Sequence, residues 1–118
     1  MPLQRSRALG MRAATALALL FSATASAMAQ EADGAQMELG REVFLEISVP
    51  QCSVCHTLAD ADSTGTVGPI LDQLKPDFNR VKNAVVNGIG PMQPNEVLTD
   101  EQVDAVATYV SQASGGAQ

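Results

Sequence analysis

The sequence predicts an all-α chain of three or four helices joined by loops and folded around a bound group. Three observations carry this expectation. Apolar residues recur at helical spacing in three stretches, each with its own start or stop signal. No stretch shows the alternation of apolar and polar residues that a half-buried strand needs, and no internal repeat is present. Large side chains are scarce, with three Phe, one Tyr and no Trp, while Cys52-Ser53-Val54-Cys55-His56 gathers both cysteines and the single histidine into five residues. A chain that poor in bulk is expected to build its core on something it binds.

The first element is a leader. Met1 to Arg12 carries Arg5, Arg7 and Arg12 and no acid, Ala13 to Phe21 is apolar, and Ser22 to Ala29 is rich in small residues. This is the order of a secretory signal peptide. Two cleavage points fit, after Ala27 or after Ala29; Ala29 is preferred because Gln30-Glu31-Ala32-Asp33 opens a polar segment. A retained anchor is the rival reading, but a spanning helix needs about 20 apolar residues and this run is about half that. Arg5 and Arg7 are separated by Ser6, so there is no twin-arginine pair. The expected organisation is a signal peptide over 1–29, a flexible N-terminus over 30–36 and one domain over 37–118, in a periplasmic protein without stable membrane insertion.

Within that domain, Met37, Gly40 or Arg41, Phe44 and Leu45 predict a helix over 37–46, which Pro50 stops. Residues 57–68 read as a polar loop closed by Gly68-Pro69, and Ile70, Leu71 and Leu74 as a short helical turn. Lys75-Pro76-Asp77 opens the next helix with proline in its first turn; Phe78, Val81, Ala84 and Val85 share a face, and Gly88 ends it. Two glycines and two prolines keep 88–95 irregular. Thr99 to Gln102 forms a capping box for a last helix with Val103, Val106, Ala107 and Val110 inward, ended by Gly115-Gly116.

The motif dictates the chemistry. C-x-x-C-H attaches a c-type haem: two thiols add across two vinyl groups on one porphyrin edge, and two intervening residues let a short turn reach both. The histidine that follows falls under the iron as proximal ligand. A disulfide between Cys52 and Cys55 would close a small strained loop of the kind found beside a βαβ pattern, and no such pattern is visible. A zinc site lacks a fourth ligand, and adjacent Cys55 and His56 rarely share one tetrahedral ion.

The second axial position separates a carrier from an enzyme or gas binder. A second histidine does not exist. Met92 stands 36 residues beyond His56 in the proline-flanked run Gly90-Pro91-Met92-Gln93-Pro94 and is the leading candidate. Met37 lies on an amphipathic helix where methionine more often packs in a core. Met28 remains only if the cut follows Ala27, and an open or water-bound site is the remaining alternative. Histidine plus methionine gives a raised potential and an iron that changes charge without admitting substrate.

With these residues on the page, the mature chain resembles a small class I bacterial cytochrome c with one His/Met haem. Gly40 and Phe44 match that family's N-terminal helix, Gly68-Pro69 its turn after the haem loop, Met92 its methionine loop, and Leu98 through Val110 its C-terminal helix. The resemblance implies a cytochrome c fold of three to four helices wrapped around one haem c, held by Cys52 and Cys55 and ligated by His56 and Met92. It implies that the Pro69 carbonyl accepts from the other imidazole nitrogen, and that Gly40 lets the terminal helices cross closely with Phe44 and Tyr109 at the crossing. Ile70 stands where the family often has asparagine, and Gln93 where it often has proline. The run Val67 to Asp77 also looks like small cytochromes that take electrons from periplasmic sulfite dehydrogenases.

Charge bounds the partners. Removing 29 of the 118 residues leaves four basic against thirteen acidic side chains, a formal charge of −9. This argues against nucleic acid and anionic membrane as partners. It suits redox partner proteins with a basic docking face, and equally a solvated acidic surface that only keeps an exported protein soluble. The expected product is a monomeric electron carrier, not an enzyme, with an exposed haem edge ringed by Val54, Ile70 and Pro91.

Overall fold

Three long helices carry the architecture. The computed structural model describes residues 18–117, with side chains from residue 25. Two compact units divide the chain, Met1–Glu31 and Ala32–Gln118. The elements are α1 (Ala18–Glu42), a π-helical turn (Val43–Ile47), α2 (Cys52–Cys55), β1 (Thr57–Leu58), β2 (Ser63–Thr64), α3 (Leu71–Leu74), α4 (Phe78–Asn87) and α5 (Asp100–Ser114). The all-α expectation holds: α2 and α3 are single turns, and the sheet is one two-residue ladder.

Three local expectations are corrected. Residues 30–36, expected to be flexible, lie inside α1; Gln30, Glu31, Ala32 and Ala35 are strong helix formers, against which Asp33 and Gly34 are the weak positions. Residues 1–17 of the expected signal peptide lie outside the described residues. The polar loop over 57–68 contains the antiparallel ladder Thr57↔Thr64 and Leu58↔Ser63 around a 3₁₀ turn at Ala59–Ala61. Two-residue strands are too short to show alternation. Pro76 lies before α4 and not in its first turn, because extended Asp77 is the cap and its side chain accepts from the Arg80 N–H at 2.8 Å.

The end of α5 is written as expected. The Thr99 side chain accepts from the Gln102 N–H, the Gln102 side chain accepts from the Thr99 N–H, and left-handed Gly115 closes the helix. Its buried residues include Val103, Val106, Ala107, Tyr109 and Val110, which pack with Val43, Phe44, Leu58, Val81 and Val85 into one core. Phe44 meets Tyr109 edge to face, with ring centroids 6.1 Å apart. At the same crossing Gly40 lies directly on the Ala105 carbonyl. The Lys82–Asp104 ion pair between α4 and α5 spans 2.6 Å but is half exposed on both sides, so its contribution is about 0–1 kcal/mol.

Tyr109 ties this core to the loop that follows the histidine. Its hydroxyl donates to Asp60 Oδ2 at 2.6 Å. Burial, then the Asp60 carboxylate, hold the phenol above its ordinary range, with Arg41 opposing. A phenol raised on folding contributes stability that is complete below its unfolded pKa of about 10 and is lost as pH climbs through the folded value. Tyr109→Phe is expected to cost about 1.5–3 kcal/mol at neutral pH, the worth of a hydrogen bond to a charged acceptor. It should also flatten the decline of stability above about pH 10. Urea titrations of both proteins at neutral and alkaline pH check this, and parallel pH slopes would overturn it.

Candidate functional site

A cavity of about 980 Å³ opens between the C-x-x-C-H turn, α4, α5 and the loop between those two helices. Its walls are mostly apolar, and Cys52, Cys55, His56, Pro69 and Met92 all line it. All five residues singled out in the sequence therefore meet at one void, although they span 41 positions of the chain. Met37 does not line it; it is partly buried against the core.

The turn is made by its own backbone. The His56 N–H donates to the Cys52 carbonyl at 3.0 Å, closing α2 so that both thiols face one region. Cys52 and Cys55 are free and half-buried. Ser48, fully buried, takes the Cys52 N–H at 3.2 Å and lies 3.2 Å from Cys52 Sγ. Burial pushes the Cys52 thiol up, while the Ser48 contact opposes it. Among the described residues no three His, Cys, Asp or Glu side chains converge on a point that suits an ion.

His56 is held from behind. Its Nδ1 sits 2.9 Å from the Pro69 carbonyl. A carbonyl only accepts, so Nδ1 carries the proton and Nε2 keeps the free lone pair. Gly68 lies under the ring: a Cβ there would come within 2.5–3.0 Å of Cε1, Nδ1 and Nε2. The Gly68 N–H in turn donates to the Cys55 carbonyl at 2.8 Å, which locks the Gly68-Pro69 turn to the motif. Two further clamps act on the strand after His56. Ser63 Oγ donates to the His56 carbonyl at 2.9 Å and accepts from the Leu58 N–H at 3.0 Å. Asp72 Oδ2 accepts from the Ala59 N–H at 2.9 Å.

Met92 comes from the far wall. Ile89 and Met92 exchange two backbone hydrogen bonds at 2.9 and 3.0 Å around Gly90-Pro91, a closed turn in which Gly90 takes φ 54°. The Asn95 N–H then donates to the Val85 carbonyl at 2.9 Å, pinning the loop's exit to α4. Asn95 also lines the cavity, and its Oδ1 is buried without a hydrogen-bond partner.

Sequence reasoning missed Ser48, Ser63, Asp72 and Asn95. None carries a motif; each matters through a contact that exists only once the loops are folded. The donor set nevertheless suits one group. Two thiols, an imidazole with a free Nε2 and a thioether line a mostly apolar void, as a covalently attached iron porphyrin requires.

The comparisons agree with that chemistry. The family model described as cytochrome c oxidase, cbb3-type, subunit III matches residues 35–110. The crystal structure of the c-type cytochrome SorU from Sinorhizobium meliloti is similar at 61% sequence identity, covering 72% of this chain and 98% of that one, with a TM-score of 0.68. Among curated proteins no relative matches.

Proposed function

The chain belongs to the c-type cytochromes, a small class I member with the all-α cytochrome c fold, and from that premise we propose that it is a periplasmic single-haem electron carrier and not an enzyme. The family implies haem c, which when bound supplies a one-electron ferric/ferrous couple. In this reading Cys52 and Cys55 hold the group through thioethers, and His56 Nε2 and Met92 Sδ bind its iron. Pro69 fixes the imidazole, with its carbonyl accepting from Nδ1. His56 and Met92 would both be committed to holding the group, leaving no place for substrate, and the group would supply one-electron transfer to partner proteins.

One observation carries the reading: His56 and Met92, 36 residues apart, line a single void together with both thiols. Val54, Ile70 and Pro91 are exposed, as an apolar edge for transient docking needs.

The partners are redox proteins. The −9 charge of the mature chain favours a basic docking face. The run from Val67 to Asp77 supports a periplasmic sulfite dehydrogenase as donor. Export follows from the leader over 1–29; among the described residues no helix is long and apolar enough to cross a membrane. The carrier acts as a monomer.

The test is the pigment. Protein matured in a periplasm is expected to be red, to show sharp reduced bands, and to keep its colour in acidified organic solvent. The Cys52→Ala/Cys55→Ala double variant is expected to release its colour under the same treatment. A colourless wild-type product, or one whose pigment washes out, would overturn the proposal.

A further inference from the structure

Ser48 is a polar side chain sealed inside the fold beside the first thiol. It is 1% exposed, so bulk water does not reach it, and a buried hydroxyl needs partners in the fold. One is the Cys52 N–H, which donates to Ser48 Oγ at 3.2 Å. That contact uses the oxygen as an acceptor and leaves the hydroxyl proton to place. Cys52 Sγ lies 3.2 Å from the same oxygen. Among the described residues Cys55 Sγ has no comparable contact, so the two thiols are not equivalent.

The backbone imposes this meeting. The π-helical turn Val43–Ile47 ends at Ser48, whose backbone is extended and whose N–H returns to the Val43 carbonyl at 3.2 Å. Val49, Pro50 and Gln51 are exposed, and the chain comes back onto Ser48 at Cys52, four positions later. While Cys52 is a thiol, either atom of the Ser48–Cys52 pair can donate. A sulfur bonded to carbon on both sides has lone pairs and no proton, so only the hydroxyl can then donate. Attachment of a group through Cys52 fixes the direction of this bond.

We propose that Ser48 is a positioning residue for the first attachment point: its hydroxyl donates to Cys52 Sγ, sets the side-chain torsion of Cys52 and draws electron density from that sulfur. This rests on the reading of Cys52 as a thioether to haem c. Hydrogen bonds around a haem are among the means by which a protein sets its potential. A donor on the sulfur favours the electron-rich ferrous form, so Ser48 raises the potential. It does so from the Cys52 side alone, because Cys55 has no such donor.

Ser48→Ala tests this in the haem-loaded protein, alone and combined with Cys52→Ala, which keeps the backbone N–H at position 52 and removes the sulfur. With Cys52 in place, Ser48→Ala is expected to shift the midpoint potential downward. In the Cys52→Ala background the same change is expected to leave the potential where it was. A shift at least as large in that background, or no shift in either, would overturn the proposal and leave Ser48 as a cap for the Cys52 N–H. A second measurement does not need the double variant to mature. In the wild type the carbon–sulfur stretching band in resonance Raman is expected to move after equilibration in heavy water, because the donated hydrogen exchanges, and Ser48→Ala is expected to lose that isotope shift. A wild-type band that ignores heavy water would overturn the proposal while leaving Cys52 as an attachment point. Pigment that washes out of the wild type in acidified organic solvent would instead remove the reading of Cys52 itself.

Discussion

Met92→Ala is expected to keep its haem and lose its high potential. In the proposed reading Cys52, Cys55 and His56 would hold the group without help from the methionine loop, so the variant should still be red and resist extraction. The sixth position should open to water or an added ligand. A thioether favours the ferrous state, and axial ligands span about 0.8 V among haem proteins, so a fall of a few tenths of a volt is expected. Ferrous Met92→Ala should bind carbon monoxide readily, where the wild type should not. Met37→Ala is the matched control. Met37 packs against the core and does not line the cavity, so this change should lower stability and leave potential and carbon monoxide affinity alone. Redox titration and carbon monoxide difference spectra separate the two cases. A wild-type potential in Met92→Ala, or a lowered one in Met37→Ala, would move the ligand assignment to another residue.

What the chain discloses before it folds depends on how local the physics is. The Thr99–Gln102 capping box closes within one helical turn, so spelling and structure coincide. The same holds for Asp77, although its role as cap, with Pro76 left outside, needed the extended backbone at Asp77 to be seen. The candidate donors were legible for a different reason. Two cysteines, one histidine and few methionines leave little to choose from. Contacts between distant loops were not legible. Tyr109 reaches Asp60 across 49 positions, and no periodicity marks either residue. Ser63 reads as an ordinary loop residue, yet its hydroxyl bridges the His56 carbonyl and the Leu58 N–H. Ser48 reaches Cys52 only because the backbone departs from α-helix at Val43–Ile47, where the Ser48 N–H returns to the Val43 carbonyl at 3.2 Å. In a domain this small these contacts join the haem-motif loops to the core that α5 provides.

The helix crossing under those loops tolerates no added atom. Alanine in place of an interior helical glycine ordinarily stabilises by about 1 kcal/mol. At position 40 that gain is overruled. A Cβ there would run into the Ala105 carbonyl oxygen and the Tyr109 Cβ. The first obstacle is backbone inside α5 and cannot rotate away. The second belongs to the ring that packs on Phe44 and bonds Asp60, so displacing it loosens both contacts. Overpacking of this kind costs about 1–3 kcal/mol or more. Gly40→Ala should therefore lower stability against its own helix propensity, and Gly40→Val, wider and β-branched, should cost about 3 kcal/mol or more. For a domain of this size that is a fall of roughly 12–24 °C in Tm. Phe44 lines the cavity but Gly40, Ala105 and Tyr109 do not, so the visible spectrum of whatever protein still folds should stay close to wild type. Thermal melts followed by circular dichroism, with visible spectra on the same samples, provide the measurement. A Gly40→Ala protein as stable as wild type would mean that α1 and α5 can separate at no cost. The close crossing would then not be what holds the terminal helices together.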